Sequence, residues 1–66
     1  MPFMTLLERI DKTLDIIEKR AEIIKNKTKE CRKTKDLEEF IDGLKYIKGQ
    51  AFMIMKIIEK IEKLLE

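Results

Sequence analysis

Two stretches of this chain repeat small or apolar residues at alternating spacings of three and four, and the phase of the repeat changes between them. Such spacing places side chains along one side of an α-helix. If the first repeat continued, the charged residues Lys35 and Glu38 would be its next core positions, so one helix must end and another begin. The first repeat comprises Phe3, Leu7, Ile10, Leu14, Ile17, Ala21, Ile24, Thr28 and Cys31, and the second comprises Leu37, Phe40, Leu44, Ile47, Ala51, Ile54, Ile58, Ile61 and Leu65.

Signals for helix ends agree with this division. Thr5 and Glu8 have the spacing of a capping box, in which side chains satisfy free amides of the first turn. Asp36 precedes an acidic first turn and predicts a second cap of the same kind. We therefore predict one all-α domain over residues 1–66, with a first helix at about 3–33, a turn at about 33–36 and a second helix at about 36–65.

The two repeats predict an antiparallel, coiled-coil-like hairpin, because large and small residues face each other when the second helix folds back. A single long helix that swaps with a second chain is the alternative. The hairpin register predicted in this way pairs Leu7 with Ile61, Ile10 with Ile58, Leu14 with Ile54, Ile17 with Ala51, Ala21 with Ile47, Ile24 with Leu44, Thr28 with Phe40 and Cys31 with Leu37.

The composition of the chain excludes several kinds of functional site. The chain has no histidine and one cysteine, so it has no disulfide framework, no histidine-based zinc site and no histidine general base. Glycine-rich phosphate loops and di-iron carboxylate–histidine spacings are also missing. We therefore expect neither enzymatic activity nor a catalytic residue, a metal or a cofactor. Without a signal peptide or a long apolar run, we expect a soluble cytoplasmic protein with no membrane partner.

Apolar residues outside the two repeats indicate self-association. A lone hairpin would leave them in water, whereas two hairpins that form a four-helix bundle would cover them. We therefore expect a homodimer or a higher oligomer, with the same residues as an alternative surface for another protein. The expected oligomer or partner interface comprises Ile16, Ile23, Ile41, Phe52, Met53, Met55, Ile57 and Leu64.

A cluster of basic residues near the predicted turn suggests a second kind of site. Only Glu30 opposes six basic residues between positions 25 and 35. Lysine-rich surfaces bind nucleic-acid phosphates or other anions, although the cluster has no aromatic residue to stack on bases. Compensation of the helix dipole and solubility explain the same residues without a ligand. The candidate anion-binding residues are Lys25, Lys27, Lys29, Arg32, Lys33 and Lys35.

Four further residues have structural and functional interpretations. Cys31 falls at a core position and is expected to be a buried thiol. Gly43 and Gly49 lie off the predicted core positions, and neutral sequence drift on the outer faces of the helix explains both. Alternatively, Gly43 allows a partner backbone or a ligand to approach closely. Tyr46 is expected to be half-buried at a subunit boundary.

In length and two-helix layout, the chain resembles the RNA-binding helical hairpins that control plasmid copy number. The resemblance is one of architecture and carries no residue roles to this chain. Our expectation is a small, non-enzymatic, oligomeric module that acts through protein–protein interaction as an adaptor, regulator or inhibitor of the kind that viruses and plasmids encode. The alternative is a helical bundle that binds RNA, DNA or a nucleotide through its lysine-rich tip.

Overall fold

The computed structural model describes residues 5–66 and confirms the all-α hairpin. Helix α1 spans Leu6–Lys33 and helix α2 spans Leu37–Leu65, and the two pack against each other along their length. The hairpin measures 55 × 20 × 11 Å. Neither of the helices in residues 5–66 combines the length and the apolar character needed to cross a bilayer. The expected first turn of α1, from Phe3, lies outside the described residues.

Both helices begin at the caps that the sequence predicts. The Glu8 amide donates a hydrogen bond to Thr5 Oγ1 at 3.2 Å, and the Glu38 amide donates to Asp36 Oδ1 at 2.9 Å. Each bond satisfies an amide that has no acceptor within its helix. Glu8 and Glu38 also place negative charge at the positive end of a helix dipole.

The turn consists of Thr34, Lys35 and Asp36, and it contains no glycine. Thr34 and Asp36 adopt extended backbone conformations, with φ of −75° and −95°, so a short connection forms without left-handed residues. Thr34 holds the turn at both ends: its hydroxyl accepts from the Asp36 amide at 3.3 Å and donates to Glu39 Oε2 at 2.8 Å. Three polar contacts, including the Asp36 cap, thus fix where the chain reverses.

The helices meet along an interhelical seam that differs from the predicted core. On α1, the row at Ile10, Ile17, Ile24 and Cys31 lies in the seam, as predicted, but its companion row is Thr13, Arg20 and Lys27 rather than Leu7, Leu14 and Ala21. On α2, Ile47, Ile54 and Ile61 are joined by Gly43, Gln50 and Ile57 rather than by Leu44, Ala51 and Ile58. Each helix is therefore rotated about its axis relative to the prediction.

The predicted residue pairing is also wrong. Arg20 Nη1 donates to Gln50 Oε1 at 2.8 Å, whereas the predicted register would bring Lys48 level with Arg20. Cys31 packs against Gly43 rather than Leu37, which is 71% exposed. The reversal is centred on Lys35, one residue later than predicted, and moving the centre of a hairpin by one residue shifts the opposing residues by two.

Candidate interaction surfaces

The closest approach between the helices lies near the turn, at Cys31 and Gly43. Cys31 is 8% exposed and is the only buried apolar side chain among residues 5–66. A Cβ atom added at Gly43 would overlap the Cys31 sulfur, so this glycine allows the contact. The expected buried thiol is confirmed, whereas Gly43 lies in the seam and not off it, and its close contact is within the chain.

A groove of about 520 Å³ opens beside this contact. Lys27 Nζ lies 5.2 Å from the centre of the Tyr46 ring, a cation–π distance, and 3.7 Å from Glu30 Oε1. Tyr46 is 47% exposed, so about half of its surface is covered within a single chain. The groove is lined by Lys27, Glu30, Cys31, Thr34, Glu39, Asp42, Gly43 and Tyr46, a set that contains three acids and one base.

The middle of the seam carries a polar pair. The Arg20 guanidinium donates through Nη1 to the Gln50 side-chain oxygen, and both residues are half-buried. Arg20 Nε is shielded from water and has no hydrogen-bond partner within residues 5–66. A polar pair at this depth stabilises less than an apolar pair would, but it favours one register because sliding the helices would leave both groups unpaired.

The row that was predicted to be internal forms a continuous surface instead. We call it the apolar face, and eight of its nine residues are exposed while Thr28 is half-buried. None of these nine residues is charged, although charged residues make up 42% of the chain. The predicted 3-4 repeat contained this row, but spacing alone does not distinguish the partner helix from solvent. The apolar face comprises Leu7, Leu14, Ala21, Thr28, Leu37, Leu44, Ala51, Ile58 and Leu65.

The residues expected to form an oligomer or partner interface do not lie on one surface. Ile57 is half-buried in the seam, and Leu64 follows it at the open end of the hairpin. Ile41 and Met55 flank the apolar face on α2, while Phe52 points away from α1 and has Lys56 Nζ 5.3 Å from its ring centre. The remaining three, Ile16, Ile23 and Met53, belong to the opposite side of the hairpin.

That opposite side forms a second surface, which we call the basic face. Ile23 and Tyr46 line one groove, so their rows share a side, and Ile16 and Met53 lie one heptad from them. Its acids, Glu30, Glu39 and Asp42, are confined to the turn end. The basic face comprises the apolar residues Ile16, Ile23, Tyr46 and Met53 and the flanking bases Arg9, Lys12, Lys19, Lys56, Lys60 and Lys63.

The lysine-rich tip is a region of mixed charge. The fold places Lys25, Lys27, Lys29, Arg32, Lys33 and Lys35 beside the start of α2. That start contributes Asp36, Glu38, Glu39 and Asp42, so residues 25–42 contain six bases and five acids including Glu30. Sequence reasoning treated the six bases as an isolated group, and the return of the chain supplies the compensating carboxylates.

Within the described part of the chain, no three acidic or thiol side chains are grouped so that they could hold a metal ion. Residues 5–66 present two long surfaces, one apolar and one basic. Compared with protein-family models, with curated proteins and with solved structures, the chain shows no match.

Proposed function

We propose that this protein is a non-enzymatic binding module, in which two hairpins associate through their apolar faces as a four-helix bundle and the assembly then binds another protein as an adaptor, regulator or inhibitor. The observation that carries the proposal is the apolar face itself, nine uncharged residues along the whole hairpin. A surface of this kind is a liability in water unless another surface covers it.

The surface area of the chain supports this proposal. A compact monomer of 7.9 kDa is expected to expose about 4,400 Å². The hairpin exposes 5,727 Å², an excess of roughly 1,300 Å². A standard interface buries about 800 Å² on each partner, so the excess is large enough for a stable contact with a second copy.

The middle of the apolar face suits self-association. Arg20 contacts Gln50, so the neighbouring residues Ala21 and Ala51 lie within about 3 Å of the same level, near the midpoint of the hairpin. Their small side chains let the helices of a second copy approach closely, while leucine and isoleucine on either side provide apolar area. A two-fold dimer brings the same patch of each copy together, as an isologous interface requires.

The test is the mass in solution of the chain and of two matched double variants. Leu14→Glu with Leu44→Glu places charge on the apolar face, and Ile16→Glu with Met53→Glu makes the same change on the basic face. We expect twice the chain mass for the wild type and the basic-face variant, and a single chain mass for the apolar-face variant because it would bury unpaired carboxylates. Light scattering at micromolar concentration measures all three.

Circular dichroism on the same samples tests whether folding depends on association. The wild type is expected to lose helix as it is diluted, and the apolar-face variant is expected to be less helical than the wild type at every concentration, since the core of one hairpin contains one buried apolar side chain among residues 5–66. A wild-type chain that is a stable, helical monomer at micromolar concentration would disprove the proposal. So would an apolar-face variant that keeps the doubled mass.

A further inference from the structure

We propose that the basic face binds an acidic amphipathic helix of another protein. The inference deepens the proposed function by naming a partner class. It uses the side of the hairpin opposite the apolar face, so both surfaces can be occupied at once.

The charge of the basic face favours an acidic partner. Over the half of the hairpin away from the turn, the rows of the basic face carry six bases and no acid, and Lys19, at the outer edge of the face, also lines a groove with Asp15, Glu18 and Glu22. Five of these bases, all except Lys56, form no ion pair with another residue in the range 5–66. Lys56 pairs with Glu59 at 3.6 Å. Bases on both sides of an apolar line are complementary to a helix whose own apolar stripe is bordered by glutamate or aspartate.

The shape of the basic face favours a helical partner. Ile23 and Tyr46 line a groove in the valley between the two antiparallel helices, and Ile16 and Met53 continue their rows one heptad further along. These four side chains are between 38% and 47% exposed. Each side chain is therefore partly covered by the hairpin and keeps exposed area for contact with a third helix. A single helix laid along such a valley inserts a row of side chains spaced by three and four residues.

Gly49 leaves open space beside the apolar residues of the basic face. It lies on the row of Lys56 and Lys63, next to the row of Tyr46 and Met53, and a Cβ added there would meet no atom within 4 Å. Glycine within a helix costs up to about 1 kcal/mol relative to alanine, and no packing among residues 5–66 offsets this cost at Gly49. An open glycine beside an apolar valley permits close approach of a partner backbone.

Two other classes of anion fit the valley less well. Phosphates of a nucleic acid would pair with the lysines, but they would leave the half-exposed isoleucines and methionine of the valley in contact with water. A lipid surface is broad, whereas the apolar residues here lie between two helices and below long lysine side chains. A helix satisfies the charges and the valley together, so a protein partner is favoured.

The probe is a synthetic peptide of about 20 residues, long enough to span roughly 30 Å as a helix, with leucine at helical spacing and glutamate on both flanks. We expect saturable binding to the wild-type chain, with a Kd below about 100 µM by calorimetry. A peptide of identical composition with scattered leucines is the control and is expected not to bind. Binding of both peptides, or of neither, would overturn the proposal.

Matched charge reversals then locate the site. Lys12→Glu with Lys60→Glu alters the basic face and is expected to weaken peptide binding about tenfold or more. Lys25→Glu with Lys48→Glu makes the same net change beside the apolar face and is expected to leave Kd within about twofold. Equal weakening by both pairs would overturn the assignment to the basic face.

Two further probes separate the other classes of partner. Phosphatidylserine vesicles and single-stranded poly(U) RNA are titrated with the same proteins. Tighter binding of either probe than of the leucine–glutamate peptide, lost in Lys12→Glu with Lys60→Glu, would overturn the choice of a protein partner. The mass of each sample distinguishes this result from failure of self-association, because only the apolar-face variant is expected to change mass.

Gly49→Gln tests the close approach without removing a charge. Because the site is open, we expect the hairpin to stay helical with an unchanged or higher Tm. The added side chain would occupy the rim of the valley, so we expect peptide binding to weaken about fivefold or more. An unchanged Kd in a folded Gly49→Gln protein would overturn the placement of the helix in this valley.

Discussion

The Cys31 sulfur occupies the space that a Cβ atom of Gly43 would fill. Cys31 lies about one turn before the reversal of the chain and Gly43 about two turns after it, and they form the tightest part of a sparsely buried molecule. The contact between the Cys31 thiol and the backbone of Gly43, which has no side chain, therefore sets the distance between the helices at this end.

Gly43→Ala is expected to destabilise the hairpin by about 1–3 kcal/mol, even though alanine is the better helix former, because its methyl group must displace the Cys31 sulfur or the backbone. The thermal unfolding midpoint measures the effect. Cys31→Ala in the same chain is expected to restore most of the loss by freeing the space. A higher Tm for Gly43→Ala alone would contradict the packing described for this site.

Gly49→Ala is the matched substitution on the same helix, with the opposite expected sign. Its added methyl meets no atom within 4 Å, so only the helix propensity changes. We expect a gain of about 0.5–1 kcal/mol. Urea unfolding at one protein concentration measures the free energy, and a loss of stability would show that residue 49 packs against something within the assembly.

The Arg20–Gln50 pair is expected to fix register at a cost in stability. Gln50→Ala should cost about 1 kcal/mol because it leaves a half-buried guanidinium with one partner fewer. Replacing both residues, as Arg20→Met with Gln50→Leu, is expected to give a chain at least as stable as the wild type. Urea unfolding tests both statements, and a double variant less stable than Gln50→Ala would contradict them.

Asp36 is expected to stabilise the start of α2 through its hydrogen bond to the Glu38 amide. Asp36→Ala removes the acceptor and should cost about 1 kcal/mol. Asp36→Asn keeps an acceptor oxygen and should stay within a few tenths of a kcal/mol of the wild type. Thermal unfolding followed by circular dichroism separates the two variants, and equal losses would show that charge, not the hydrogen bond, matters at this cap.

Part of this architecture could be predicted from the sequence, because its causes are local. The spacing of apolar residues gives two helices, and Thr5 and Asp36 cap them through bonds that span two or three residues. The change of phase between the repeats places the reversal between Lys33 and Leu37. Each signal depends on neighbours along the chain, so it can be recognised without the fold.

Only the tertiary structure decided which apolar row faces the other helix and which faces outward. On α1, periodicity favours the row of Leu7, Leu14 and Ala21 beside Ile10 and Ile17, but the fold turns the polar row of Thr13, Arg20 and Lys27 inward instead. The three-residue turn, held by Thr34, sets the rotation and register of α2. That choice brings Arg20 and Gln50 inside, leaves Leu14 and Leu44 outside, and so creates the apolar face from residues that the sequence assigned to the core.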